Sequence, residues 1–256
     1  MIPVIAEYWS HTVVFLTVHD ILTRECAPLL LNGQLQHFVK AGCHAQPISM
    51  ALSYAIIAGS VFLKLPQIIK ILASRSVAGL SAVGIVLENL AQVFTIAYSM
   101  RIEAPFSTYG EGFFGLAQNC LILLLFVPFA PKKPLHFLAA IVPPSLLVPL
   151  LRPDVPFPVL AVLQSATAVM FILSRTPQIL ANFKNKSTGQ LAMLSILMAA
   201  GGTVVRIATL VQAGVTDVPT LSPHVAGVVL NFILLAQFIM YWGNKAELSE
   251  VEKKLE

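Results

Sequence analysis

Charge is what this 256-residue sequence has least of: 11% of its residues are Asp, Glu, Lys or Arg, against 57% that are hydrophobic. An ordinary soluble domain carries roughly 25% and 45–50%, so a water-soluble globule, which could not hide that much apolar surface, is excluded. Metal-binding patterns are missing too. The three cysteines, Cys26, Cys43 and Cys120, form no CxxC, and the six histidines never fall at HxxxH spacing, so neither a metal site nor a cofactor is read. There is no Gly-rich phosphate loop, no DxD-like acidic pair and no Ser patterned with a His and an acid; the chain is not expected to be an enzyme. A net charge of +4 without a dense basic block argues against nucleic acid as a partner and for orientation in a lipid bilayer. The cysteines are expected free, with a disulfide between Cys26 and Cys43 as the alternative if that segment faces an oxidising lumen.

What the chain does have is apolar runs of the length that crosses a bilayer core, about 20 residues. Seven are read, near 50–71, 78–100, 109–129, 135–151, 158–183, 190–211 and 220–242. The apolar pieces before them, 13–18 and 28–31, are too short to span and are separated by Asp20, Arg24 and Glu25. Residues 1–47 therefore read as a surface-lying or partly disordered arm, and a cleaved signal peptide is disfavoured because no basic residue precedes the first apolar run. Lys70, Arg75, Lys132, Lys133, Lys184, Lys186, Lys245, Lys253 and Lys254 fall on one side of the membrane, and only Arg24, Lys40, Arg101 and Arg152 on the other. The positive-inside rule places the C-terminal tail in the cytosol and the arm in a lumen. The sequon at Asn185 is then cytosolic and carries no glycan.

Sliding the chain along itself by 111 positions lays Lys64-Leu65-Pro66-Gln67-Ile68 on Arg175-Thr176-Pro177-Gln178-Ile179. In the same register Arg75-Ser76 meets Lys186-Ser187, Ile85 meets Ile196, and Val93, Ile96 and Ala97 meet Val204, Ile207 and Ala208. A one-residue indel then pairs Asn119 with Asn231. Ordered matches of this kind are the mark of a duplicated unit. Four spans separate the copies, an even number, so both enter the membrane in the same direction. The fold expected is all-α: a polytopic membrane protein with seven transmembrane helices, arranged as two parallel three-helix repeats plus a linker helix. The first repeat is 48–130, the linker 131–156 with Pro143, Pro144 and Pro149, the second repeat 157–242, and the cytosolic tail 243–256.

Polar residues inside these spans are the candidates for function. Pro66 and Pro177 each remove a backbone hydrogen bond and kink or hinge their helix, and Gln67 and Gln178 are placed to satisfy the backbone so freed. Lys64 and Arg175 precede them and either snorkel to the interface or face a pocket. Glu88 and Arg206 fall near the middle of the second and sixth spans, where an unpaired charge costs several kcal/mol, so each needs the other, a cavity or a polar head group. Asn119, Asn231, Gln118 and Gln92 either bond helix to helix or line a central pocket where two repeats meet.

Leu65-Pro66-Gln67 and Thr176-Pro177-Gln178, followed by Gly79-Leu80-Ser81 and Gly189-Gln190-Leu191, resemble the two PQ-loops of the PQ-loop and SWEET superfamily. Within it, Pro105-Phe106-Ser107-Thr108-Tyr109-Gly110-Glu111, Asn182-Phe183-Lys184-Asn185-Lys186-Ser187-Thr188-Gly189 and Gly201-Gly202-Thr203-Val204-Val205-Arg206-Ile207 resemble the mannose-P-dolichol utilization defect protein family. The second copy departs from the first at Thr176 and Ala192, where the first has Leu65 and Ser81. The resemblance implies an endoplasmic-reticulum protein needed for the use of dolichol-phosphate-mannose and dolichol-phosphate-glucose in lipid-linked oligosaccharide assembly, hence N-glycosylation and GPI anchors. It implies paired pocket asparagines at Asn119 and Asn231 and hinge prolines at Pro66 and Pro177. Lys253 and Lys254 resemble a dilysine retrieval signal, which acts on a cytosolic tail. Dolichol-phosphate-linked sugars and ER glycosyltransferases are the partners so implied; Arg206 is the expected phosphate contact because a cationic fork suits a phosphate, which would offset the cost of the charge in lipid. A transporter of a small solute and a scaffold for glycosyltransferases are the alternatives.

Overall fold

The computed structural model describes residues 25–77, 80–129, 133–186 and 193–241. Their elements are α1 (Cys26–Leu31), α2 (Leu35–Lys40), α3 (Ala45–Phe62), α4 (Leu65–Ser74), α5 (Ala82–Arg101), a 3-10 turn (Phe106–Thr108), α6 (Gly110–Phe129), α7 (Lys133–Ser145), α8 (Leu147–Leu150), α9 (Phe157–Asn185), α10 (Met193–Gln212) and α11 (Val218–Met240). No strand occurs among the described residues. Five helical stretches are long and apolar enough to cross a membrane: Ala45–Ser74, Ala82–Arg101, Gly110–Phe129, Phe157–Lys184 and Val218–Met240. Two shorter apolar stretches, Pro134–Leu150 and Leu197–Gln212, occupy the other two expected positions. Their outer surfaces carry a belt of exposed apolar side chains, such as Val162, Leu173, Phe183, Val83 and Met240, which only a lipid solvent tolerates over so large an area.

Helices pack in two like triplets. In the first, α6 lies between α3 and α5; in the second, α11 lies between α9 and α10. The triplets join at two seams, α5 on α9 and α3 on α10. The six helices thus close a ring in the order α3, α6, α5, α9, α11, α10, with α6 and α11 on opposite sides. First helix meets second helix at each seam, as a two-fold axis along the membrane normal requires of parallel repeats. The linker pair α7 and α8 packs outside the ring, on α5 and α6.

The duplication reaches the backbone. Arg75, which ends α4, and Lys186, which ends α9, both have φ of 49°, a left-handed cap that few non-glycine residues adopt, and they are 111 positions apart. The copies differ at the proline. In the first repeat the span breaks between Phe62 and Leu65, and Pro66 falls in the first turn of α4, where its missing N–H is no loss. In the second, Pro177 lies inside α9, which runs unbroken from Phe157 to Asn185.

The N-terminal region corrects one expectation. From Glu25 onward it is helical, α1 packing on α2 around buried Ala27, Phe38 and Cys43. Cys26 and Cys43, expected free, form a disulfide with Cα atoms 5.5 Å apart. Six residues per helix are too few to hold a core unaided, so the cross-link substitutes for burial. Residues 1–24, the loop Lys132 and the tail with Lys253 and Lys254 lie outside the described residues.

Candidate functional site

The ring has an N face, where α3 begins, and a C face, where α4 ends. Its polar side chains gather at two depths. Nearer the C face, the break in the first span loosens the backbone hydrogen bonding, the Ser60 carbonyl keeping only the N–H of Leu63 at 3.3 Å. Gln118 on α6 reinforces it: Nε2 donates to the carbonyls of Ser60, at 3.0 Å, and Val61, at 2.5 Å, while Oε1 accepts from the N–H of Lys64 at 3.2 Å. Gln67 was expected to do this. It stands one turn too late in the chain, whereas a side chain from the neighbouring helix reaches both sides of the break.

The same break aims Lys64 inward rather than along the helix to the interface. Its ammonium donates to both carboxylate oxygens of Glu88, at 2.9 and 2.8 Å, and to Asn119 Oδ1 at 2.5 Å. Lys64 therefore does not snorkel; it is 15% exposed and ion-paired. Asn119 is fully buried, and its Nδ2 has no hydrogen-bond partner.

Near the N face, Arg206 on α10 pairs with Glu111 at the start of α6, and its Nη1 donates to Ser107 O at 3.2 Å. Glu88 and Arg206 accordingly do not meet. Glu88 is six residues from Ala82 at the C face and Arg206 six from Gln212 at the N face, so they sit at opposite depths rather than mid-span. Two more contacts reinforce this face. The Tyr98 hydroxyl on α5 donates to Asp217 Oδ2 at 2.9 Å, an oxygen that also caps α11 through Thr220 N. Arg101 donates to the carbonyl of Arg152 at 2.8 Å, holding the linker's end. Polar ties between the repeats thus concentrate at the N face.

In the second repeat Asn231 is buried and donates to Ala199 O at 3.3 Å. Asn182 donates to Gln237 Oε1 at 3.2 Å, and Gln237 donates to Ile179 O at 2.9 Å, tying α11 to α9. Arg175 has its guanidinium 5.6 Å from the centroid of Phe171. For Pro177 and Gln178 only the backbone is described, within α9.

Of three further polar residues, Gln92 was among the candidates, whereas buried Gln164 and Asn89 were not anticipated. Gln164 on α9 is 1% exposed with neither amide atom hydrogen-bonded, Asn89 on α5 has an unpartnered Oδ1, and Gln92, packed on Gly115, an unpartnered Oε1. Gln164 could have been found by the 111-position shift, which lays it on buried Ser53. An unmet buried amide costs about 1–3 kcal/mol; a polar ligand or water inside the ring would remove that cost. Among the described residues of the interior, Lys64 and Arg206 each face a carboxylate and Arg175 faces an aromatic ring.

The PQ loop repeat family matches the sequence twice, over residues 48–108 and 159–217. The two matches begin 159 − 48 = 111 positions apart, the shift found within the chain. The chain carries two PQ-loop repeats. Each match spans the first two helices of a triplet and stops before the third, so α6 and α11, which bring Asn119 and Asn231, complete units that the PQ-loop repeats begin. With five long apolar helices, it is a multi-pass PQ-loop membrane protein. No solved structure matches the chain.

Proposed function

We propose that this PQ-loop membrane protein works without covalent chemistry in the endoplasmic-reticulum membrane, where it makes dolichol-phosphate-mannose and dolichol-phosphate-glucose usable for lipid-linked oligosaccharide assembly. The observation that carries the proposal is the set of amides Asn119, Gln164 and Gln92, whose unmet donors and acceptors suit the hydroxyls of a hexose held at mid-membrane. The prenyl chain remains among lipids while the ring shields the head group from the hydrocarbon. The motif resemblances around Pro105 and Gly201 supply the dolichol-linked donor as the ligand. The disulfide between Cys26 and Cys43 supports an oxidising compartment at the N face, in line with a luminal N-terminus and a cytosolic tail.

Direct binding tests this reading. Purified protein in liposomes should bind short-chain dolichol-phosphate-mannose saturably, with competition by dolichol-phosphate-glucose and not by dolichol. Absence of saturable binding would overturn it. Charge balance around Lys64 and Arg206 favours one second reading, transport of a small neutral solute; uptake of a water-soluble sugar into vesicles lacking dolichol lipids would select it. A protein that binds the lipid and also accelerates its transbilayer movement acts as a translocator, and one that binds without movement presents the lipid to luminal glycosyltransferases.

A further inference from the structure

The two-fold relation between the repeats exposes one charge that the fold leaves unmet. Lys64 and Arg175 are counterparts under the shift of 111, and so are Glu88 and Ala199. In the first repeat the cation is neutralised by Glu88 at 2.8 Å. In the second, the position that should supply the acid holds Ala199, whose backbone carbonyl is occupied by Asn231. Among the described residues Arg175 is left with the face of Phe171 alone. Among the described residues Glu88 is the only acidic side chain in the C-face half of the ring, and it is taken.

Arg175 does not escape to the interface. It follows Leu160, Gln164, Thr167 and Phe171 at intervals of four, three, four and four, a single helical face, and the first three of these are buried. It stands ten residues before the end of α9 at Asn185, about 15 Å along the axis, in the C-face half of the span, where an uncompensated cation facing hydrocarbon is costly. Arg206, by contrast, already holds Glu111. We infer that Arg175, rather than Arg206, is the anion seat of the ring, and that it takes the phosphate of a lipid-borne phosphoester. A guanidinium fork engages two phosphate oxygens at once, with Gln164 on the same face, further into the ring, to meet what the phosphate carries. This rests on the reading of the ring as a dolichol-phosphate-sugar site.

The test uses the full chain in liposomes with short-chain dolichyl phosphate, which lacks the sugar, as the ligand. Arg175→Gln should weaken its binding by roughly tenfold or more, the scale of a charge-assisted contact, and Arg175→Lys should restore part of the loss. Ala199→Glu, which installs the acid that the first repeat has, should weaken binding as much while leaving thermal stability intact; it decides the matter if Arg175→Gln folds poorly. Equal binding by wild type, Arg175→Gln and Ala199→Glu would overturn the assignment while the function stands. Failure of the wild type to bind dolichol-phosphate-mannose would instead sink the functional reading. Full displacement of the lipid by millimolar inorganic phosphate would mean a free-anion site and overturn the lipid assignment.

Discussion

Breaking the pair of Arg206 and Glu111 should destabilise the protein unequally according to which partner is removed. Arg206 is 5% exposed and Glu111 28%. Glu111→Leu strands a guanidinium with no route to water, so the loss should fall in the range for an orphaned buried charge, about 3–5 kcal/mol. Arg206→Met strands a carboxylate that still reaches the N-face surface, so the loss should be nearer the cost of an unmet polar group, about 1–3 kcal/mol. The double variant removes both charges and keeps the volume, and such replacements are often neutral or better, so it should recover most of the larger loss. Unfolding by SDS in mixed micelles, followed by circular dichroism, measures all three on one scale. If Glu111→Leu lost under about 1 kcal/mol, as exposed pairs do, or if the double variant lost the sum of the singles, the buried tie between the repeats at the N face would be a misreading.

Gln118→Leu should leave the carbonyl of Val61 and the N–H of Lys64 without their side-chain partner, costing about 1–3 kcal/mol and speeding hydrogen exchange at residues 60–66; unchanged exchange there would show that the amide does not hold the break. Gly110→Ala should lower stability by about 1–3 kcal/mol through overpacking, because an added Cβ would lie 2.6 Å from the Phe106 ring and 2.9 Å from Ile57; a melting temperature equal to wild type would count against that packing. Replacing both Cys26 and Cys43 with serine should remove about 3 kcal/mol from the α1 and α2 segment, as expected for a cross-link closing a loop of about this size. Exchange protection should vanish there and persist in α5 and α6, and protection retained in α1 would contradict it.

Much of this architecture was legible because bilayer length and hydropathy act locally: the segment read at 78–100 is α5 at Ala82–Arg101, and that at 109–129 is α6 at Gly110–Phe129. The 111-position repeat was legible because it is written in residues such as Arg75 and Lys186, whose matching left-handed caps follow from matching loops. Partner choice was not. Gln118 supports the break at Lys64 from 54 positions away, and Arg206 reaches Ser107 from 99 positions away; only packing decides such pairs. Glu111, at the start of its span, read as part of a loop motif, and its meeting with Arg206 depends on the α3 and α10 seam, which carries the 3-10 turn with it. The disulfide was misjudged for a related reason, since two short helices without apolar periodicity give no sign of folding onto each other.

Where a bound dolichyl-phosphate-mannose touches the protein tests the central claim most directly. A photoreactive analogue of the lipid, cross-linked in liposomes and mapped by mass spectrometry, should place the head-group adducts on the ring interior around Asn119, Gln164, Arg175 and Asn231. Adducts confined to the outer belt, at residues such as Val162, Val169 and Leu173, which are 68%, 55% and 67% exposed, would contradict it.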